Sequence, residues 1–400
     1  MNNTLQVILS DYGDLVNTVL QRIKTNTTLK ELFKTPVKRG EFFKALFILL
    51  QKRFVAYSKL ENTYVYNINY RNIYRRLYFA LYVEFVDKNH FKMFTDVFLK
   101  VLCTGVCSVK QFRDIKTVSR MIDLKLLKYS DNNVDFNFSS MERSTEFFDE
   151  KENVKKLKTV EKNQFVMVDY ENLEEAMILK YFKDSIIEKY TTKIEDILTR
   201  LLAQPLINEQ TIKKIIDEIK GNEASNEKLL ESYVFYLKND HILVPDPTMK
   251  NFRFDKKSME IMLKKACMLN YTMENMSKHC KRVLNCIFER KMVEDKDISK
   301  YALLDAKTMR SVCLDLHQEL FIQLCVMQKE NKNFHIWEID HLKAFKLCAL
   351  KFQDKIIEKI PLIDNFWKVS LYTGSDISSD QVYISDLLQL AKSHFILTYE

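Results

Sequence analysis

A short apolar segment, a polar tip and a second segment of alternating apolar and polar residues recur four times along the chain. The first segment of each pair ends a helical run, and the second has the period-2 alternation of a half-buried strand. The paired segments are 54–57 with 64–68, 126–129 with 134–138, 242–244 with 252–254, and 321–326 with 334–336. Each pair therefore predicts a β-hairpin that follows helices.

The residues before each hairpin have the apolar spacing of helices. Before the first hairpin this spacing begins at Leu5 and Leu9, and a further helix is predicted over 37–53. Three helices followed by a hairpin are the order of elements in the winged helix, a variant of the helix-turn-helix. Repetition of that order at domain-sized intervals indicates a string of such units.

We therefore predict a mainly α fold with small β-hairpins (α+β), built as a tandem array of four winged-helix domains and a short C-terminal helical hairpin. Residues 141–164 are dense in charge and have no apolar period, so they are predicted to be a linker. Phe165–Val168 is predicted to be a short strand that opens the third domain. The predicted domains are 1–70, 71–140, 165–255 and 256–340, followed by C-terminal helices over 341–400, the first of which is predicted to end at Pro361.

Composition and motifs argue against catalysis. Five glycines and five prolines favour long helices over glycine-lined loops, and no phosphate loop, HExxH, GxSxG or kinase signature is present. The cysteine pairs Cys103/Cys107 and Cys280/Cys286 lack the CxxC spacing of zinc sites. Carboxylate pairs such as Glu174 and Glu175 are expected to lie on the solvent faces of helices. We expect a protein that is not an enzyme and that has no catalytic residue, cofactor or metal. No signal peptide or membrane-spanning run is predicted, so the cysteines are expected to be reduced.

Basic residues provide a candidate nucleic-acid interface. The net charge of +8 is compatible with binding nucleic acid and equally with ordinary solubility. A more specific signal lies in the two helices predicted before the second hairpin, where spacings of three and four place several cations on one face. The candidate phosphate contacts are Lys110, Arg113, Lys116, Arg120 and Lys125. The alternative is a solvated helix face.

The helix predicted over 37–53 is apolar around nearly its whole circumference. A helix that reads a DNA groove exposes polar side chains, whereas an all-apolar helix is buried on all sides. We expect its own domain to cover one part and a neighbouring domain or subunit to cover the rest. Phe43 and Phe47 from this helix, with Tyr74 and Tyr78 from the tyrosine-rich stretch that follows, are candidate subunit-interface residues. Core packing is the alternative.

Three stretches of the chain, 8–16, 45–57 and 280–307, resemble the third-largest subunit of RNA polymerase III, a family related to the large subunit of transcription factor IIE. Residues 8–16 are similar to the opening helix of that family. Residues 45–57 resemble its first winged-helix helix and wing, with the Ala-Leu step, the Gln and the closing Val-x-Tyr. Residues 280–294, together with the Ala-x-x-x-Ala-Lys turn over 302–307, resemble the start of its fourth winged helix. Where the family has an Arg-Tyr-Pro-Arg-like step, this chain has 77–80, Leu-Tyr-Phe-Ala.

The resemblance implies a non-catalytic subunit of nuclear RNA polymerase III, whose active site lies in other chains. It implies a peripheral heterotrimer with two smaller subunits, seated on the clamp of the largest subunit. It also implies contacts with initiation factor IIIB and non-specific contacts with promoter DNA during initiation of tRNA, 5S rRNA and other short transcripts. No membrane contact is expected. The alternatives are a winged-helix-containing scaffold of the proteasome-lid or translation-initiation type, and a stand-alone sequence-specific DNA binder.

Overall fold

The computed structural model describes most of the chain, as helices joined to small antiparallel sheets. This bears out the predicted α+β class. The described residues are 8–33, 38–60, 63–90, 92–130, 165–190, 194–204, 207–220, 224–246, 251–329, 332–373 and 378–399.

The α-helices are numbered in chain order. They are α1 (Asp14–Arg22), α2 (Leu29–Leu32), α3 (Arg39–Gln51), α4 (Tyr70–Tyr74), α5 (Phe79–Asn89), α6 (Lys92–Thr104), α7 (Ile115–Asp123), α8 (Tyr170–Lys189), α9 (Ile194–Leu202), α10 (Glu209–Lys220), α11 (Ala224–Asn239), α12 (Lys256–Asn275), α13 (Lys278–Arg290), α14 (Asp295–Ala302), α15 (Ala306–Gln318), α16 (His341–Thr373) and α17 (Ser378–Thr398). Short 3-10 helices lie at Ser10–Tyr12, Arg75–Tyr78 and Val109–Gln111.

The strands form sheets of three in the described residues. They are β1 (Thr27–Thr28), β2 (Val55–Leu60), β3 (Thr63–Ile68), β4 (Val106–Ser108), β5 (Leu127–Tyr129), β6 (Phe165–Val168), β7 (Ile207–Asn208), β8 (Leu243–Pro245), β9 (Asn251–Phe254), β10 (Met292–Glu294), β11 (Gln323–Lys329) and β12 (Lys332–Glu338). The sheet orders are β1-β3-β2, β4-β6-β5, β7-β9-β8 and β10-β12-β11. In each sheet the first strand precedes helical residues, and the other two strands follow them.

The first strand of each sheet is the element that the sequence pattern does not predict. These strands have two or three residues, too few for alternation to be recognised. Thr28 shows how local chemistry places one of them. Its side chain accepts a hydrogen bond from the Glu31 N–H, and the Glu31 carboxylate accepts one from the Thr28 N–H at 2.8 Å. This capping box ends β1 and begins α2.

The second sheet corrects the predicted position of one strand. Phe165–Val168 does not open the third unit but is the middle strand of this sheet, between β4 and β5, with Met167 opposite Val106 and Val168 opposite Leu127. Its apolar side chains fill the sheet centre, with Val166 fully buried. The second strand predicted at 134–138 and the predicted linker 141–164 lie outside the described residues.

The chain divides into two compact units, the first of which comprises 1–175 and 356–391. Around the first sheet, Leu9, Phe42, Leu49 and Phe54 are at most 2% exposed and form a common core. The C-terminal end of α3 lies directly against Gly105, which follows α6. Lys52 at this end donates a hydrogen bond to the carbonyl of Cys103, and burial lowers its pKa.

Gly105→Ala is expected to lower the free energy of unfolding by about 2 kcal/mol. The added Cβ would lie 2.9 Å from the Cα of Lys52, and the backbone φ of +91° is one that L side chains rarely adopt. Urea denaturation of the full chain measures the change. Gly40→Ala in α3 is the matched control, because a Cβ there meets nothing within 4 Å. Equal effects of the two substitutions would contradict the close approach at Gly105.

The second unit comprises 176–355 and 392–400 and contains the third and fourth sheets. Around the fourth sheet, Val283, Ile298, Met309 and Leu316 are fully buried. Trp337 on β12 donates a hydrogen bond to Asp295 at 2.8 Å, which fixes the sheet to the first turn of α14.

The C-terminal helices are longer than predicted. The prediction that Pro361 ends a helix is wrong, because α16 continues to Thr373 and has 33 residues. An internal proline costs a helical hydrogen bond, but the apolar period continues on both sides of it. Lys359 of α16 forms an ion pair with Asp386 of α17 at 3.1 Å, as expected for adjacent helices of a hairpin.

Candidate nucleic-acid and subunit interfaces

The candidate phosphate-binding face is built around α7. Asp114 caps this helix by accepting hydrogen bonds from the N–H groups of Lys116 and Thr117, at 3.1 and 3.2 Å. Hydrogen bonds from the Thr117 hydroxyl and N–H hold the pKa of Asp114 below its usual value. The helix buries Thr117, Val118 and Met121, so its opposite face points to solvent.

All five predicted cations are exposed around α7. Lys116 and Arg120 lie one turn apart on its solvent face, Lys110 lies in the 3-10 helix that precedes it, and Arg113 and Lys125 flank it. None of the five side chains forms an ion pair or hydrogen bond with the described part of the chain. The two helices predicted before the second hairpin are therefore a 3-10 helix and the α-helix α7. The five cations lie on the exposed segment that these two elements form.

The helix α3 has two kinds of apolar face. Phe42, Ala45, Leu46 and Leu49 are buried in its own unit. A second set is only half-buried: Phe43, Phe47, Ile48 and Leu50. The apolar circumference predicted from the sequence is therefore covered completely on one side only.

The interface candidates differ in exposure. Phe43 is half-buried and packs on Phe33, with ring centroids 6.1 Å apart, and the Arg39 guanidinium lies 5.8 Å from each ring. Tyr74 is half-buried against the core of the first sheet. Tyr78 is only 6% exposed and lies edge-on to Tyr82 at 6.2 Å. Tyr78 is a core residue with little surface left for a partner, and Phe43, Phe47 and Tyr74 keep some.

A buried ion-pair network is the polar feature that the sequence does not reveal. Glu174 accepts hydrogen bonds from Arg75 at 2.7 and 2.9 Å and from the Tyr82 hydroxyl at 2.8 Å. The Arg75 guanidinium also donates to Asn72 and lies 4.4 Å from the ring centroid of Tyr170. The interpretation of Glu174 as a solvent-facing carboxylate is wrong, because its side chain is only 5% exposed.

The positive charge of Arg75 is compensated within the network by the carboxylate of Glu174. Burial opposes the charge of Arg75, but the hydrogen bond and the negative charge of Glu174 outweigh it and raise the arginine pKa. Burial, with Glu174 beside it, raises the pKa of Tyr82 well above its usual value. The raised pKa values of Arg75 and Tyr82 keep the guanidinium charged and the phenol neutral near neutral pH.

The other features with possible chemistry are metal-ligating groups and the cysteines. No group of three or more His, Cys, Asp or Glu that could hold a metal occurs in the described ranges. All eight cysteines are free, and burial raises the pKa of Cys267 and that of Cys313 to about 12. Among the helices described, none is both long and apolar enough to span a membrane.

Comparison with known families identifies one domain. Residues 269–338 match the family model described as "POLR3C, C-terminal winged-helix domain". The matched range contains α13 to α15 and the complete sheet β10-β12-β11. No curated protein matches the chain.

Proposed function

We propose that this chain, which carries the C-terminal winged-helix domain of the POLR3C family at 269–338, is a structural subunit of RNA polymerase III that acts in initiation. The family match is the observation that carries the proposal, and it covers the residues 280–294 that resemble the fourth winged helix of that subunit. A POLR3C-family domain implies a non-catalytic polymerase subunit.

The proposed architecture is a tandem array of four winged-helix domains. It is supported by the shared strand order of the four sheets, each with helical residues between its first and second strands. With Phe165–Val168 assigned to the second sheet, we propose that the second domain extends to Val168 and that the third begins within α8.

The proposed setting is a nuclear heterotrimer with two smaller subunits on the clamp of the largest subunit, in contact with initiation factor IIIB and promoter DNA. Half-buried Phe43, Phe47 and Tyr74 are the proposed subunit contacts, since a partner would complete the burial of the apolar face of α3. The cations around α7 are the proposed non-specific contacts with DNA phosphates.

The competing functions are less well supported. A proteasome-lid or translation-initiation scaffold has one winged helix after a helical array. This chain matches a winged-helix domain of a polymerase family, and its described residues form four sheets of one topology. A stand-alone sequence-specific DNA binder would expose polar residues from the helix before its wing, and α3 presents phenylalanines instead.

Affinity purification of the tagged full chain, followed by mass spectrometry, tests the proposed function. RNA polymerase III subunits are expected to dominate the co-purified proteins in near-stoichiometric amounts. Recovery of proteasome or translation-factor subunits in their place would overturn the proposal.

Reversing three charges at the α7 face, Lys110→Glu, Arg113→Glu and Lys116→Glu, is expected to weaken binding of the chain to duplex DNA. The slope of log K against log salt should become shallower by up to about 2.7, because each phosphate contact contributes about 0.9. Fluorescence anisotropy at several salt concentrations measures both quantities.

The matched control is Lys213→Glu, Lys214→Glu and Lys228→Glu, which changes the net charge equally at exposed lysines of α10 and α11. This control should lose less affinity and keep its salt slope. Equal losses in the two triple variants would mean that net charge alone governs binding.

A further inference from the structure

The outer edge of the fourth sheet differs from the edges of the other three. The strand β11 is at the edge of its sheet and pairs through its seven residues with β12 on one side only. In the described residues no backbone hydrogen bond connects its other side to any element. Such an edge presents a row of N–H and C=O groups that can pair with another strand.

The corresponding edges of the other sheets are short or interrupted. β5 has three residues and contains Lys128, β8 has three residues and ends in Pro245, and β2 contains Lys59. Short length, proline and lysine are the usual means by which proteins prevent pairing at a sheet edge. β11 has seven residues and no proline, and its lysine, Lys329, is the last residue of the strand.

The side chains of β11 are apolar and open to solvent. Leu324 is 40% exposed and Val326 is 58% exposed, and both point to the same face because they are two residues apart. Met327, on the other face, is 50% exposed. No charged residue lies between Gln323 and Gln328, and the Glu338 carboxylate on β12 accepts hydrogen bonds from Gln323 and Cys325. The stretch therefore offers no positive charge to nucleic acid or to an acidic peptide.

We propose that β11 is a strand-addition site for an extended, uncharged segment of a different protein, with apolar side chains at alternate positions. Main-chain hydrogen bonds would hold the segment, and its apolar residues would lie beside Leu324 and Val326. The proposal concerns this edge alone and does not depend on the identity of the larger assembly.

A second copy of the chain fits this edge less well. A two-fold axis joins two β11 strands into one antiparallel sheet only if the axis is perpendicular to the plane of the sheet. Odd-numbered residues then face odd-numbered residues of the other copy, and even-numbered residues face even-numbered ones. With the axis at Cys325, the amide of Gln323 faces Met327 of the other copy. With the axis at Val326, Leu324 faces Gln328. Both registers set a glutamine amide against an apolar side chain. A partner with its own sequence can avoid this and still keep the apolar contacts that Leu324 and Val326 make with each other in the first register.

Amide hydrogen exchange of β11 tests the proposal, comparing the isolated full chain with the same chain purified from its source with its bound proteins. Alternate amides of 323–328 already bond to β12 and should exchange slowly in both samples. The outward amides between them should slow at least tenfold in the bound sample. Unchanged exchange of the outward amides would overturn strand addition.

Photo-cross-linking identifies the occupant. A benzoylphenylalanine in place of Leu324 and one in place of Val326, each in the full chain, are expected to react with residues two apart in a single segment of one other protein. Cross-links between isotopically light and heavy copies of this chain would show self-pairing and overturn the proposal. Scattered cross-links would do the same.

A variant pair provides an independent readout. Val326→Lys places a charge on the strand and should lower recovery of the cross-linked protein at least fivefold. Leu350→Lys on α16 is the matched control, since its side chain is 55% exposed and lies outside the strand. Equal recovery with both variants contradicts the proposal, and the cross-linking ladder remains a test if Val326→Lys fails to fold.

Discussion

Glu174→Ala is expected to lower the free energy of unfolding by about 3–5 kcal/mol. The carboxylate is 5% exposed and accepts hydrogen bonds from Arg75 and Tyr82. Its removal leaves the guanidinium charge of Arg75 in a site that excludes water, without a counter-charge. Urea denaturation of the full chain, followed by circular dichroism, measures the loss.

The neighbouring residue provides the matched control. Glu175 is exposed, so Glu175→Ala should change the free energy by no more than about 0.5 kcal/mol. The double substitution Arg75→Met with Glu174→Leu should recover most of the stability, since it removes both buried charges together. A loss for Glu174→Ala no larger than that for Glu175→Ala would contradict the buried pair.

The hairpins that could be read from the sequence are those whose strands are close in the chain. The first was predicted at 54–57 with 64–68, and β2 and β3 pair over Val55–Leu60 and Thr63–Ile68. Period-2 alternation next to a turn is a local signal, so it determines both the strands and their register. In the second sheet the same signal, read at 134–138, does not predict the partner of β5, because β5 pairs with a strand that begins at Phe165.

In the candidate interfaces too, features set by residues close in the chain can be predicted from the sequence, and features set by distant residues cannot. The exposure of Lys116 and Arg120 follows from helical spacing around the buried Val118 and Met121. The burial of Glu174 depends on Arg75, which lies 99 residues earlier. A partial signal existed, because Leu173 and Met177 place Glu174 beside an apolar stripe of α8, and a carboxylate in that position requires a buried partner.

The last predicted effect is a loss of stability in acid that originates at His394 on α17. This residue is 3% exposed, and burial lowers the pKa of its imidazole to about 4. In the unfolded chain the pKa returns to about 6.5, so between these values the unfolded state binds the additional proton. The free energy of unfolding therefore rises with pH across this window. The stabilisation is present above pH 6.5, and about 3 kcal/mol of it is lost as the pH falls to about 4.

His394→Gln removes this pH dependence, because the amide does not titrate. The difference in unfolding free energy between the wild type and this variant should shrink by about 3 kcal/mol from pH 7 to pH 4, while the carboxylates common to both proteins cancel. His279→Gln is the matched control, because His279 is exposed on α13 and its replacement should not reproduce this change. A constant difference in unfolding free energy between wild type and His394→Gln across this pH range would mean that the buried imidazole takes up its proton in the folded state. The packing around α17 would then have to open locally.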